Sequence, residues 1–190
     1  VEGYDVEISN PLYKEADFTF SGEATATQTN AGTANMGLTA DQFTNNNSNF
    51  KKVTFNVTDG YQTVTPINVT VTITGNNNTI DYDGREHVVD GYKAEADNDL
   101  YDVTKDFTFS STAEAKRTDV GTTNMGLAAS QFENTNPNFA TVTFNVTDGY
   151  QTINPIDVTV TITEHSNEVD YDGKAHTVEG YDVSISNPLY

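Results

Sequence analysis

Two histidines are the first candidates for chemistry, because they occupy equivalent positions of a sequence repeat. His87 and His176 each lie four residues after an aspartate, Asp83 or Asp172. A His–Asp pair could serve as a general acid–base or bind a metal ion. No cysteine accompanies either pair, and no second histidine or nucleophile recurs with both pairs in the repeat. We therefore interpret both histidines as strand-edge residues of a hairpin.

An oxygen-rich loop is the second candidate. Asp97, Asn98, Asp99 and Asp102 could offer oxygen ligands to Ca²⁺, a hard cation that takes six to eight of them. Their spacing departs from the EF-hand pattern, and the equivalent loops elsewhere in the chain read Ser-Asn-Pro. The sequence therefore predicts no metal site, no cofactor and no catalytic residue, and leaves calcium binding by this loop an open alternative.

A tyrosine beside an aspartate is the third candidate, and it occurs twice. Tyr61 follows Asp59-Gly60, and Tyr150 follows Asp148-Gly149. An exposed aromatic ring next to a carboxylate could stack on a sugar of a host glycan. The same rings could instead fill a hairpin interface, which is the interpretation we favour.

These residues belong to a long internal repeat. Thr54–Thr74 and Thr143–Thr163 match at all but three of 21 positions and lie 89 residues apart. Val178–Tyr190 likewise repeats the first thirteen residues of the chain with one change, from Glu7 to Ser184. A period of this length indicates about two domain equivalents in 190 residues.

Alternating apolar and polar residues predict strands. The clearest are Tyr4–Ile8, Val53–Val57 and Ile67–Thr74. Asp59-Gly60 predicts a two-residue hairpin turn, after which Tyr61–Val64 would return antiparallel to Val53–Val57. The glycine within Thr29–Thr33 predicts a bend with positive φ.

One short patch has helical character. Thr39 could cap a single turn in which Gln42 lies three residues on, as in a capping box. The sequence therefore predicts an all-β fold. It consists of tandem small β-sandwich-like, immunoglobulin-like modules of about seven short strands, with at most one helical turn each.

Module boundaries are predicted at the two prolines of the repeated stretch, Pro66 and Pro155. Residues 1–65 form an N-terminal module that lacks its opening strands, residues 66–154 a complete module, and residues 155–190 the opening strands of a third. We call these the first, second and third repeats. The third repeat supplies what the first lacks, which predicts strand exchange with another copy through residues 155–190.

Charge excludes whole classes of partner. The net charge is −19, with only nine lysines and arginines. Nucleic acids and anionic membrane surfaces are bound by basic patches, so neither is an expected partner. Cysteine is absent, which excludes disulfides and thiolate metal sites. These residues show no signal peptide, spanning segment or sorting motif, and we expect no membrane insertion in this fragment.

Several motifs resemble the tandem extracellular repeats of Gram-positive surface proteins and adhesins called MBG or YDG repeats. The matching segments are Val158–Ile162, Tyr171–Lys174, Gly180–Val183, Asp106–Phe109, Gly121, Met125–Leu127, Asn138 with Phe139, Phe144, and Asp148 with Gly149. The resemblance covers essentially the whole chain. It implies an extracellular location at the bacterial cell wall or surface, in a stalk or adhesin of many repeats, and it brings no catalytic residues.

Two functions follow as expectations. The first is a structural stalk or spacer whose repeats contact their neighbours and project a distal binding domain. The alternative is that each repeat binds host glycan or matrix protein weakly, with avidity supplied by repetition. An enzyme is not expected, because no set of nucleophile and base recurs in the repeats.

Overall fold

The structure is a computed structural model that describes residues 2–190. Its regular structure consists of strands and three 3-10 turns, Glu15–Asp17, Ala40–Gln42 and Ala129–Gln131. The prediction of an all-β fold is confirmed. Within the described residues, no helix has the length and apolar character needed to cross a membrane.

The chain divides into two compact units. The first contains Val1–Thr70, Ala96–Phe107 and Asn134–Thr143, and the second contains the remaining residues. The boundaries run through five strands of the second repeat. The units therefore differ from the modules predicted from the repeat, and the module boundaries after residues 65 and 154 stay a prediction.

The first repeat has four short strands. They are β1 Phe18–Phe20, β2 Gly32–Asn35, β3 Phe43–Asn45 and β4 Tyr61–Val64. β1 pairs antiparallel with β3, and β2 pairs antiparallel with β4. Both sheets have only two strands, so each strand keeps one open edge for hydrogen bonding.

The second repeat has ten strands where the sequence predicted about seven. They are β5 Ile67–Gly75, β6 Asn77–Asp81, β7 His87–Asp90, β8 Tyr92–Ala96, β9 Phe107–Phe109, β10 Glu114–Arg117, β11 Gly121–Asn124, β12 Phe132–Asn134, β13 Phe139–Thr147 and β14 Tyr150–Asn154. The pairs β7–β10 and β9–β12 have two strands each, and the orders β11–β14–β6 and β13–β5–β8 have three. The pairing of β14 with β6 is parallel.

The third repeat is a hairpin of two strands, β15 Val160–Glu164 and β16 Tyr181–Ile185. They pair antiparallel, with Val160 opposite Ile185. β15 and β16 occupy the sequence positions of β5 and β8. The hydrogen bond from Ser186 N–H to Thr159 O accordingly has a counterpart in the bond from Asp97 N–H to Thr70 O.

Aromatic side chains form the same cluster in the first two repeats. In the second repeat, Phe132 lies 4.8 Å from Phe109, 5.3 Å from Tyr92 and 5.6 Å from Phe144, between ring centroids. The equivalent distances in the first repeat, from Phe43, are 4.8, 5.4 and 5.6 Å; the three partners there are Phe20, Tyr4 and Phe55. The cluster is thus built locally by each repeat.

Burial near the cluster differs between the repeats. In the second repeat Val71 and Ile73 of β5 are fully buried, and Phe132 is 6% exposed. The first repeat has no described counterpart of β5, and its Phe43 is only half-buried while Tyr4 is 40% exposed. The aromatic cluster of the first repeat is therefore less buried than that of the second.

Two predicted strands of the first repeat do not form. Tyr4–Ile8 and Val53–Val57 have no strand pairing, although their counterparts β8 and β13 are strands. In the second repeat both of those strands are neighbours of β5 in the sheet. The prediction fails because an extended segment forms a ladder only with a strand beside it, and neither segment pairs with a strand among the described residues.

The predicted hairpin at Asp59-Gly60 is also wrong. Tyr61–Val64 pairs with β2 and not with Val53–Val57. The Asp59 carboxylate instead accepts hydrogen bonds from the N–H groups of Gly37 and Leu38, at 3.1 and 2.9 Å. Asp148 makes the same two bonds in the second repeat. The Asp-Gly pair therefore fixes a loop between sheets.

Other local predictions are confirmed. Gly32 and its counterpart Gly121 have φ of +141° and +132°, as the predicted bend requires. The turn after Thr39 forms, and Gln42 Oε1 accepts the Thr39 N–H at 2.9 Å. The first repeat also has a 3-10 turn at Glu15–Asp17 beyond the one predicted, stabilised by the bond from Lys14 N–H to Asp17 Oδ2.

Candidate functional site at the joint between repeats

Alternate asparagines fix the loop before β13. Asn134 Oδ1 accepts hydrogen bonds from the Tyr101 hydroxyl at 3.2 Å and from Asn136 N–H at 3.0 Å. Asn136 Oδ1 then accepts Asn138 N–H at 3.0 Å, and its amide donates to Asp106 Oδ2. Such Asx turns replace backbone pairing in irregular segments. The backbone at Asn138 is therefore held in place by its neighbours.

Asn138 joins the first repeat to the second. Its Oδ1 accepts the Ala31 N–H at 2.6 Å, and its Nδ2 lies 3.3 Å from Asn30 Oδ1. Its backbone carbonyl accepts the N–H of Ile67, the residue that directly follows Pro66. One residue of the second repeat thus binds both the loop before β2 and the start of β5. We call these contacts the first joint.

Equivalent residues meet at the start of the third repeat. Val120, the counterpart of Ala31, lines an open depression of about 200 Å³ together with Pro155, Ile156 and Leu189. A Cβ atom on Gly84 would lie 3.3 Å from Leu189 Cδ2, so this leucine packs close to the second repeat. We call these contacts the second joint.

Replacing Asn138 with alanine is expected to loosen the first joint. The change removes the acceptor for Ala31 N–H, and a lost hydrogen bond of this kind costs about 1 kcal/mol. Amide hydrogen exchange should therefore speed up at Ala31 by roughly fivefold to tenfold, as that free energy implies. Ile67 N–H, which binds the backbone carbonyl of Asn138, should change less.

Asn49→Ala is the matched control for this prediction. Asn49 occupies the same repeat position as Asn138, and it is exposed. Its N–H binds Asn47 Oδ1 as in the second repeat, and that bond does not need the Asn49 side chain. Equal exchange at Ala31 in both variants and the unaltered chain would contradict a role for Asn138 at the joint.

The His–Asp pairs close turns. His87 Nε2 lies 2.9 Å from Asp83 Oδ1, and His176 Nε2 lies 2.8 Å from Asp172 Oδ1. The hydrogen bond from His87 is the main cause that holds the pKa of Asp83 below its usual range. The same carboxylate oxygen accepts the Arg85 N–H at 2.9 Å. Each pair therefore links the two ends of a tight turn.

Carboxylate oxygens of the acidic loop after β8 accept hydrogen bonds from other residues of the chain. Asp97 Oδ1 accepts Thr70 N–H at 2.9 Å, and Asp102 Oδ1 accepts both the N–H and the hydroxyl of Thr104. The hydrogen bond from Lys105 is the largest of the causes that lower the pKa of Asp102. Across residues 2–190, no three His, Asp or Glu side chains are arranged to hold a metal ion.

The paired tyrosines lie at the surface. Tyr61 is 64% exposed and Tyr150 is 37% exposed. In each repeat both oxygens of the preceding aspartate accept backbone N–H groups, as described above. The rings therefore remain accessible, while the carboxylates beside them are engaged in the fold.

Tyr101 is expected to ionise late. Burial, together with the charge of Asp106, raises its pKa to about 12, against about 10 for a free tyrosine. The folded state favours the neutral phenol, so the neutral form contributes to the free energy of unfolding. This contribution is complete below pH about 10 and is lost between pH about 10 and about 12. A titration of phenolate absorbance should show this step, and Tyr101→Phe should abolish it. An unchanged titration in the variant would contradict the assignment.

Comparison with protein-family models, curated proteins and solved structures found no match. The two joints are therefore described from the structure of this chain alone. The repeat pattern predicted a module boundary at Pro66, but it did not indicate Asn138 and Ala31 as residues that bind each other near it. The recurrence of asparagine at every second position, in Asn45–Asn49 and Asn134–Asn138, was the signal that could have pointed to the loop.

Proposed function

We propose that the chain is a stretch of spacer repeats from a bacterial cell-surface, adhesin-like protein, which project a distal binding domain. The observation that carries the proposal is the first joint. There Asn138 binds Ala31 and Ile67, so successive repeats are tied by hydrogen bonds on both sides of a two-residue linker, Thr65-Pro66. A spacer needs defined contacts between neighbouring repeats more than it needs distinct pockets.

Composition and resemblance support the same proposal. The excess of 19 negative charges favours solubility and mutual repulsion on a crowded surface. The motif resemblance to MBG or YDG repeats implies a location outside the cell, at the cell wall or surface. Because the repeats are nearly identical, the number of copies sets the length of the spacer.

A distance measurement between spin labels tests the spacer. Cysteines introduced at Thr19 and Asp99, both exposed, would place one label in the first repeat and one in the second. We expect a narrow distance distribution that broadens when a flexible Gly-Ser segment is inserted before Pro66. A broad distribution in the uninserted chain would show that the repeats are strung loosely, and would contradict the proposal.

Exposure of Tyr61 favours the alternative function, weak binding of host glycan or matrix protein. A sugar could stack on this ring, since 64% of the residue is accessible. A glycan array probed with several linked repeats discriminates between the two functions. Binding that is lost on Tyr61→Ala together with Tyr150→Ala would support the alternative, and no binding to any glycan would leave the spacer as the better account.

A further inference from the structure

A turn of the sequence Asn-x-Leu-Tyr occurs once in each repeat, at residues 10–13, 98–101 and 187–190. In all three turns the asparagine Oδ1 accepts the N–H of the leucine at 2.9 Å. The asparagine carbonyl also accepts the N–H of the tyrosine. Asx turns of this kind fix the backbone by contacts within a few residues. Each repeat therefore presents its leucine on the same local scaffold.

The core of a repeat does not use this leucine. In the second repeat the tyrosine of the turn, Tyr101, is buried, and its hydroxyl donates to the carbonyl of Asp106. Leu100, the residue before it, is 75% exposed. The strands of the second repeat thus enclose the tyrosine and leave the leucine outside. An apolar side chain on the outside of a fixed turn is available to contact another repeat.

Leu189 contacts a turn of the preceding repeat. A Cβ atom built on Gly84 would lie 3.3 Å from Leu189 Cδ2, and Tyr82 and Val120 line one depression together with this leucine. Leu189 is 47% exposed, so it is covered more than its counterpart Leu100. All four contacting residues belong to the second and third repeats. The contact therefore joins two repeats through an aliphatic side chain.

Glycine leaves the space that the leucine fills. Gly84 has a φ of +77°, and its counterpart Gly173 in the third repeat has a φ of +76°. A Cβ atom at either position would lie 4.0 Å from a tyrosine hydroxyl, that of Tyr82 or Tyr171. The contact with Leu189 is added only at Gly84. The two glycines thus share one backbone requirement, and they differ in the leucine.

The His–Asp pair holds the contacted turn in shape. Asp83 Oδ1 accepts the N–H of Arg85 at 2.9 Å and lies 2.9 Å from His87 Nε2. One carboxylate therefore bridges the two ends of the turn around Gly84. The second repeat thus fixes this backbone with its own side chains. Leu189 meets a surface whose shape does not depend on the third repeat.

We propose that the turn of residues 83–87, between β6 and β7, is a docking surface for the following repeat of the same chain, and that Leu189 is the side chain it receives. The recognised group is aliphatic, and the gain comes from removing apolar surface from water. The His–Asp pair acts as a positioning pair for this contact. The proposal concerns how two repeats are joined, and it holds for a spacer and for a glycan-binding array alike.

Leucine-methyl labelling tests the contact directly, because the chain has five leucines and their signals can be assigned individually. We expect a nuclear Overhauser effect between a δ-methyl group of Leu189 and the Hα protons of Gly84. Leu100 should show no such effect to a glycine. The effect should persist when labelled chains are diluted into unlabelled ones. Its absence, or its appearance only between different copies, would overturn the proposal.

Gly84→Ala is expected to shift the methyl signals of Leu189, because the added Cβ atom crowds the δ-methyl group. Gly173→Ala is the matched control, since it places alanine at the same positive φ without that contact. It should leave the Leu189 signals in place. The buried Leu127 reports the fold of the second repeat and should keep its signals in both variants. Equal shifts of Leu189 in the two variants would contradict the proposed contact.

Leu189→Asp removes the contact without altering the second repeat. Spin labels on cysteines introduced at Thr72 and Ser184, both exposed, would report the distance between the second and third repeats. The distribution should be narrow in the unaltered chain and broader with Leu189→Asp, because a charge does not pack on an apolar surface. Leu100→Asp is the matched control and should leave the distribution unchanged. No broadening, or equal broadening by both variants, would overturn the proposal.

Discussion

Ile73→Ala is expected to lower the free energy of unfolding of the second repeat by about 2–5 kcal/mol. Ile73 is fully buried in β5, which lies between β13 and β8 in a three-stranded sheet. Truncation removes buried methyl and methylene groups and leaves a cavity that a close-packed core fills only in part. Denaturant unfolding followed by tyrosine fluorescence measures the loss.

The same substitution in the third repeat is the control. Ile162 occupies the repeat position of Ile73 within an identical run of six residues, yet it is 61% exposed. Ile162→Ala should therefore change stability by less than about 0.5 kcal/mol at concentrations where the chain is monomeric. Similar losses in the two variants would mean that β15 is covered in the free chain, contrary to the structure.

Gly149→Ala is expected to destabilise the second repeat by about 1–3 kcal/mol or more. A Cβ atom at Gly149 would overlap the backbone carbonyl of Asn76 and approach Met125 Sδ to 2.6 Å. A flexible methionine can move aside, but the backbone of a strand end cannot do so without breaking its pairing. Thermal unfolding should show the loss as a lower transition temperature.

Gly60→Ala is the control that separates overlap with the backbone from overlap with a methionine side chain. Gly60 is the counterpart of Gly149 within identical local sequence, and its added Cβ atom would approach only Met36, with Sδ at 2.9 Å. We expect the cost at Gly60 to be clearly smaller. Equal costs at the two glycines would show that the local loop, and not the approach of the β5–β6 connection, requires glycine.

Local patterns predicted the elements that depend on local physics. The alternation in Ile67–Thr74 gave a strand in the predicted place, and glycine at Gly32 and Gly121 has the positive φ expected of a bend. Gln42 binds the backbone ahead of its turn as a capping box predicts, and Gln131 does the same without a threonine at the cap. In these cases the controlling contacts lie within a few residues.

The candidate site depended on distant contacts and was only partly predicted. The boundary at Pro66 was predicted because proline limits the backbone and donates no hydrogen bond, and it stays a prediction. Asn138 binds Ala31 across 107 positions of sequence, and no periodicity or spacing encodes such a pair. The Asp59-Gly60 turn failed for a related reason, since the carboxylate of Asp59 is bound by amides more than twenty residues away.

Two segments of identical sequence have different structures, and they show what the sequence alone does not determine. Thr54–Gly60 and Thr143–Gly149 are the same seven residues, yet only the second copy contributes to a strand. The sequence by itself determined which residues can alternate between an apolar and a polar face. Tertiary structure decided whether that capacity is used, because a strand exists only when a neighbouring strand, here β5, satisfies its backbone.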